Sequence, residues 1–179
     1  SCSDESDFRE TFCATNTGEM NLTVNDSVYN QIGFRNLLYT ETEMGEERVR
    51  LDIRTDAHGG TFIFSLINWQ WQNPPLGGVL EKNYGTLGYN ALDADCDTIN
   101  TNYLCDGSRV TFIPDTNASN LYESSENFYT GHVEITKCDA RMKVISGTID
   151  ARLISFFGGN NDTLTVKGEF TDLCYKVLE

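Results

Sequence analysis

The chain has 179 residues, 39% of them hydrophobic and 11% aromatic, enough for one domain that buries about 70% of its unfolded surface. Its 27 acidic residues against 13 basic ones give a formal net charge of −14, a surface that repels phosphate backbones and excludes nucleic acid as a partner. No run of the sequence approaches the roughly 20 apolar residues that a membrane-spanning helix needs.

The chain begins SCSDESD. A cysteine beside an acidic, serine-rich run does not belong to a core, so Cys2 is either bridged or carries a covalent group. Residues 1–18 read as a tether and residues 19–179 as a single β domain. Helical periodicity is nearly absent from that domain, and alternation recurs instead. MNLTVNDSVYNQI (20–32) reads as a hairpin about Asn25–Asp26. RVRLDIRT (48–55) sets Val49, Leu51 and Ile53 on one face, DAHGG (56–60) turns the chain, and TFIFSLIN follows with Phe62, Phe64 and Leu66 in step. Two alternating runs joined by a glycine-bearing turn predict a second hairpin.

NWQWQNPP (68–75) places Trp69 and Trp71 on one face of an extended segment that the prolines must end. Two indoles on one face suit a platform for sugar rings or an anchor for a protein partner, against the plainer reading of a core pair. Tyr84, Tyr89 and Tyr103 lie in a stretch poor in aliphatic residues and join them as candidate ligand-binding residues. DADCD (93–97) then alternates Asp93, Asp95 and Asp97. Calcium needs clustered carboxylate oxygens, but the EF-hand pattern fails, because Thr98 and Leu104 occupy its glycine and bidentate-acid positions. A solvated acidic loop without a cofactor is the expectation, with Ca²⁺ at the three aspartates as the alternative.

Beyond that loop, GHVEITK (131–137), KVISGTIDARLIS (143–155) and DTLTVKGEFTDLCY (162–175) predict a three-strand meander. Leu164, Val166 and Phe170 share a phase that Leu173 and Tyr175 break, which predicts a bulge at Thr171–Asp172. Of the six cysteines none is spaced CxxC, so disulfides fit better than zinc. Cys96 and Cys105 bracket a polar octapeptide and are expected to pair. Cys138 and Cys174 end the first and third strands of the meander. They pair only if both lie beyond the ladder, since an intervening strand holds them about 10 Å apart and a bridge needs Cα atoms within about 7 Å. Cys2 and Cys13 remain. The sequence carries no GxSxG, HExxH or phosphate-cradling glycine loop, and an enzyme is not expected.

Several of these residues carry resemblances. Ser1-Cys2 resembles the end of a lipobox, where bacterial lipoproteins receive a diacylglycerol thioether, and the acids after it resemble a surface-export signal of Bacteroidota lipoproteins. Asp26-Ser27-Val28, Asp97-Thr98-Ile99 and Asp162-Thr163-Leu164 resemble the O-glycosylation motif of exported Bacteroidota proteins, which marks Ser27, Thr98 and Thr163 as candidate acceptors. The passage YTGHVEITKCDARMKVISGTIDARLIS with DTLTVKGEFTDLCY resembles the C-terminal portion of a family of uncharacterised Bacteroidota outer-membrane or surface lipoproteins. Gly131, Val133, Ile135, Thr136 and Lys137 match its first strand, Ser146, Gly147 and Thr148 its second, and Val166, Gly168 and Phe170 its last. Ile149 stands where the family has an aromatic residue. The resemblance implies a lipid-anchored envelope protein with Cys2 as acyl acceptor, and it carries over no catalytic residue.

The expected fold is all-β, an antiparallel β-sandwich, with an up-and-down barrel as runner-up. The expected function is that of a non-enzymatic, lipid-anchored protein of the outer membrane and cell surface, a binding or accessory subunit of an outer-membrane protein complex. The alternative is a glycan-binding surface lipoprotein with an aromatic platform.

Overall fold

The computed structural model describes residue 13 and residues 18–87, 95–99, 102–124, 131–155 and 162–178. Among these the chain is all-β. β1 (Glu19–Val24) and β2 (Ser27–Tyr29) form the hairpin expected about Asn25–Asp26, with Asn25 at φ 51°. β3 (Phe34–Glu43), β4 (Glu46–Ala57) and β5 (Gly60–Trp69) form a meander. Its turns are the pairs Met44–Gly45 and His58–Gly59, all four residues at positive φ, the geometry that matches the twist of the flanking strands. The turn expected over 56–60 thus narrows to two residues. β6 (Asn83–Gly85), β7 (Asp95–Ile99), β8 (Asn102–Pro114) and β9 (Tyr122–Ser124) come next, then β10 (His132–Asp139), β11 (Val144–Ser155), β12 (Thr163–Cys174) and β13 (Lys176–Val177).

The strands follow one path, β13-β3-β4-β5-β8-β9-β11-β12-β1-β2, with β10 between β11 and β6, and with β7 on β8. The path curls strongly. Its first member, β13, follows β12 with only Tyr175 between them, and it pairs with β3 in parallel. Alternation then delivers the inward residues to one cluster. Leu51 and Ile53 of β4, Phe62 and Phe64 of β5, Phe112 of β8, Ile149 and Leu153 of β11 and Val166 of β12 all pack there, each 3% exposed or less. Phe62 lies with its ring centroid 4.5 Å from that of Phe112.

The bulge on β12 is where the alternation placed it. Gly147 pairs with Phe170 but Ile145 pairs with Leu173, so Thr171 and Asp172 together oppose Ser146. Asp172 takes φ 50°, its amide donates to Ser146 Oγ at 2.9 Å, and its carboxylate pairs with Lys137 at 2.8 Å. The extra residue changes the phase, and Leu173 and Tyr175 join the core beside Phe170.

Three expectations are corrected. The Cys138–Cys174 bridge is not formed: Cys174 is bonded to Cys13, and Cys138 is a free thiol. The reason is register, because Cys138 pairs with Ile145 of β11 and Cys174 pairs with Val144, which leaves β11 between the two cysteines. Residue 13, read as part of the tether, is therefore joined covalently to β12. The acidic cysteine stretch 93–106, read as a loop, instead contains the β7–β8 ladder over 95–99 and 102–106, with Cys96 directly opposite Cys105. Cys105 is disulfide-bonded.

Candidate interaction site

β5 carries the chain to Trp69 and stops, because Gln70–Gln72 wind into one 3-10 turn that ends at Asn73 with φ 50° and ψ 60°. The expected shared face of Trp69 and Trp71 needs an extended backbone through both, and this turn removes it. The two indoles consequently have different fates. Trp69 is 4% exposed and packs with Ile67, Leu87 and Leu104 on a small cluster outside the main core. Its indole Nε1 donates to the Cys105 carbonyl at 2.9 Å, and the Arg48 guanidinium lies 5.5 Å from its ring centroid. Trp71 is 40% exposed.

Tyr84, the third candidate aromatic, is fully buried. Its hydroxyl lies 2.6 Å from Asn68 Oδ1 and 2.7 Å from the Leu80 carbonyl oxygen, so its proton is shared between the two bases of the loop 70–80. Burial pushes this phenol well above its ordinary pKa. Asn68 Oδ1 also accepts from the Leu80 amide at 3.1 Å, while its Nδ2 donates to Asp106 Oδ2 at 2.8 Å. The other Asp106 oxygen accepts from the Trp69 amide at 2.8 Å, and Lys82 Nζ stands 3.5 Å from Oδ2. Burial raises the Asp106 pKa, opposed by the Trp69 and Asn68 donors. This buried carboxylate thus works as a clamp on the chain on either side of the loop.

A second clamp holds the loop from the far side. Tyr175 Oη donates to the Gly77 carbonyl at 2.6 Å, and the Gly78 amide closes a turn on the Pro75 carbonyl at 2.8 Å. Gly78 packs so closely that an added Cβ would stand 2.9 Å from Cys138 Sγ and 3.0 Å from Ala140 Cβ. Between the two clamps Leu76 is 100% exposed. Residues 57–80 contain no Asp, Glu, Lys or Arg, so this loop is an uncharged tip on a strongly acidic protein. Leu76 escaped the sequence reading, although an apolar residue between Pro-Pro and Gly-Gly is a readable sign of a constrained, projecting turn.

Strand direction places the loop. β12 runs toward Cys174, β13 continues past Tyr175 parallel to β3, and β4 and β5 follow in alternating sense. The 140–143 turn, the Gly77–Gly78 part of the loop and the Cys13–Cys174 disulfide therefore lie together at one end of the molecule. The chain approaches β1 at this same end, since Gly18 lies against the Thr171 and Asp172 backbone.

The remaining sequence candidates are scattered. Ser27 and Thr163 are exposed at the starts of β2 and β12, and Thr98 lies on β7 opposite Tyr103 of β8. Asp95 and Asp97 lie on β7 opposite Asp106 and Leu104. Cys2, Tyr89 and Asp93 fall outside the described residues. Among the described residues no group of three or more His, Cys, Asp and Glu stands together as a metal site. A shallow groove of about 370 Å³ crosses the outer face of β2, β1, β12 and β11, lined by Asn21, Thr23, Asn30, Thr148 and Glu169 among others, and no aromatic side chain borders it. Of the aromatic candidates whose side chains are described, Trp69 and Tyr84 are interior and Trp71 meets solvent, so these three do not share one exposed face.

The fold and the site define an all-β protein with a clamped, apolar-tipped loop. Comparison with protein-family models, with characterised proteins and with solved structures gives no significant match.

Proposed function

We propose that the protein is a non-enzymatic, lipid-anchored protein of the outer membrane and cell surface, held through an acylated Cys2 and acting as a binding or accessory subunit of an outer-membrane protein complex. The observation that carries this reading is the gathering, at one end, of the disulfide that joins the N-terminal segment and of the loop that exposes Trp71 and Leu76. A rigid scaffold that presents a loop in this way is how binding residues are ordinarily positioned.

Within the all-β class we favour a single barrel over a sandwich. β13 and β12, successive along the chain, lie on β3 and β11, so the sheet path returns toward its start. The inward residues of nine strands also meet in one cluster.

Detergent phase partitioning tests the anchor. The native protein is expected in the detergent phase and its Cys2→Ala variant in the aqueous phase. Retention of that variant in membranes would overturn the reading.

A further inference from the structure

We propose that the loop Gln70–Gly78 is a second, non-covalent membrane contact, in which Trp71 and Leu76 enter the neutral interface of a lipid bilayer. The proposal deepens the anchored reading above. Three observations on this chain point to lipid as the occupant. Leu76 is wholly exposed and Trp71 substantially so, on a tip without any charge, and an indole with one apolar and one polar edge suits the boundary between headgroups and acyl chains. The loop is held by Asp106 at Trp69, by Tyr175 at Gly77 and by Tyr84 and Asn68 at Leu80, and Leu76 projects from it. Finally, the Cys13–Cys174 bond places Cys13 at this end: Tyr175 adjoins Cys174 and reaches Gly77 with its hydroxyl.

The charges around the loop fit the same seat. Arg141 and Lys143 lie on the neighbouring turn, whose Ala140 packs on Gly78. Asp139, on the same turn, accepts from the Arg141 and Met142 amides, and Glu81 accepts from the Cys138 amide. A protein of net charge −14 gains nothing from an anionic surface, so the contact is directed to zwitterionic lipid. One acyl modification fixes where the domain is held; the loop fixes which way it faces.

The test separates the loop from the anchor by supplying the anchor artificially. The full chain, carrying an N-terminal hexahistidine in place of the acyl group, is held on phosphatidylcholine vesicles that contain a nickel-chelating lipid and acyl-chain-brominated phosphatidylcholine. The chain has two tryptophans, and Trp69 is walled in by Ile67, Leu87 and Leu104. Tryptophan fluorescence of the tethered protein is expected to be quenched by the brominated chains, and Trp71→Phe to remove the quenching. Leu76→Asp, at a fully exposed position, is expected to reduce the quenched fraction about threefold, since interfacial binding scales with the apolar area buried. Absence of quenching in the tethered wild type, or quenching that persists in Trp71→Phe, would overturn the proposal. Neither result depends on whether Cys2 is acylated, which detergent partitioning reads separately.

Discussion

Trp69 and Trp71 show how two identical side chains, two positions apart, acquire opposite roles from one turn of backbone. Trp69→Ala removes a large buried side chain and a hydrogen bond to the Cys105 carbonyl, and is expected to cost about 3–5 kcal/mol. Trp71→Ala touches an exposed site and is expected to stay within about 0.5 kcal/mol of wild type. Chemical denaturation of both variants checks the pair, and equal losses would contradict the assignment. Tyrosines make the alkaline limit of stability predictable. The Tyr39 phenol is pushed up to about 12, by burial first and by the Asp52 carboxylate next. Tyr84 and Tyr175 are likewise raised by burial. An unfolded tyrosine loses its proton near pH 10, while the folded one still holds it. Above about pH 10 the unfolded chain thus binds fewer protons than the native one, and stability falls as pH rises. That contribution is complete below about pH 10 and is lost for Tyr39 as pH passes through about 12. Melting temperatures measured from pH 8 upward should decline steeply beyond pH 10 in the wild type and less steeply in Tyr39→Phe; parallel declines would remove Tyr39 as a cause.

The elements most legible in the sequence are those whose inner face is fully apolar. Alternation in β4, β5, β11 and β12 gave both their register face and, through the slip after Phe170, the bulge at Thr171–Asp172. β3 was not legible, because Asn36 faces inward beside Leu38 and donates its amide to the Cys174 carbonyl at 2.8 Å. A polar residue on the inner face erases the pattern that marks a strand. Short strands such as β6 and β9 carry too few residues to alternate at all. The candidate site was half legible: the Trp-rich segment and its proline stop stood out, but the 3-10 turn between the indoles depends on clamps from Asp106 and Tyr175, 37 and 98 residues away from the groups they hold. Cysteine pairing was hidden for the same reason, since Cys13 and Cys174 are 161 residues apart in sequence. Non-reducing peptide mapping is expected to recover Cys13 joined to Cys174 and Cys105 joined to Cys96, with Cys138 alkylated as a single thiol. A Cys138–Cys174 peptide would contradict the register. Because the Cys13–Cys174 loop is so long, Cys13→Ser is expected to cost up to about 5 kcal/mol in the chain-entropy model.

At the scale of the whole molecule, charge and shape divide the surface. The net charge of −14 keeps the flanks hydrated and hostile to anionic partners. Part of that acidity is internally balanced on the outer face of β3 and β4, where Arg48 pairs with Glu41 and Glu43, and Arg50 pairs with Asp52 at 3.0 Å. Raising the salt concentration is therefore expected to change stability little, since these pairs are partly shielded and the exposed ones contribute little. A melting temperature that drops by many degrees in molar sodium chloride would show that the arginine rows hold the sheet together. The uncharged loop 70–80 stands apart from this arrangement.

The parallel pairing of Lys176 with Leu37 and of Val177 with Leu38 also sets an order of events in time. Among the described strands β3 is made early and its partner β13 late, so one edge of the sheet stays open while the strands between them are synthesised. Pairings so distant in sequence make folding slow, because the loop must close before contacts reward it. An open edge with free N–H and C=O groups is meanwhile a template for pairing with another chain. An edge left open until β13 pairs is thus the point at which the newly made chain is most exposed to aggregation.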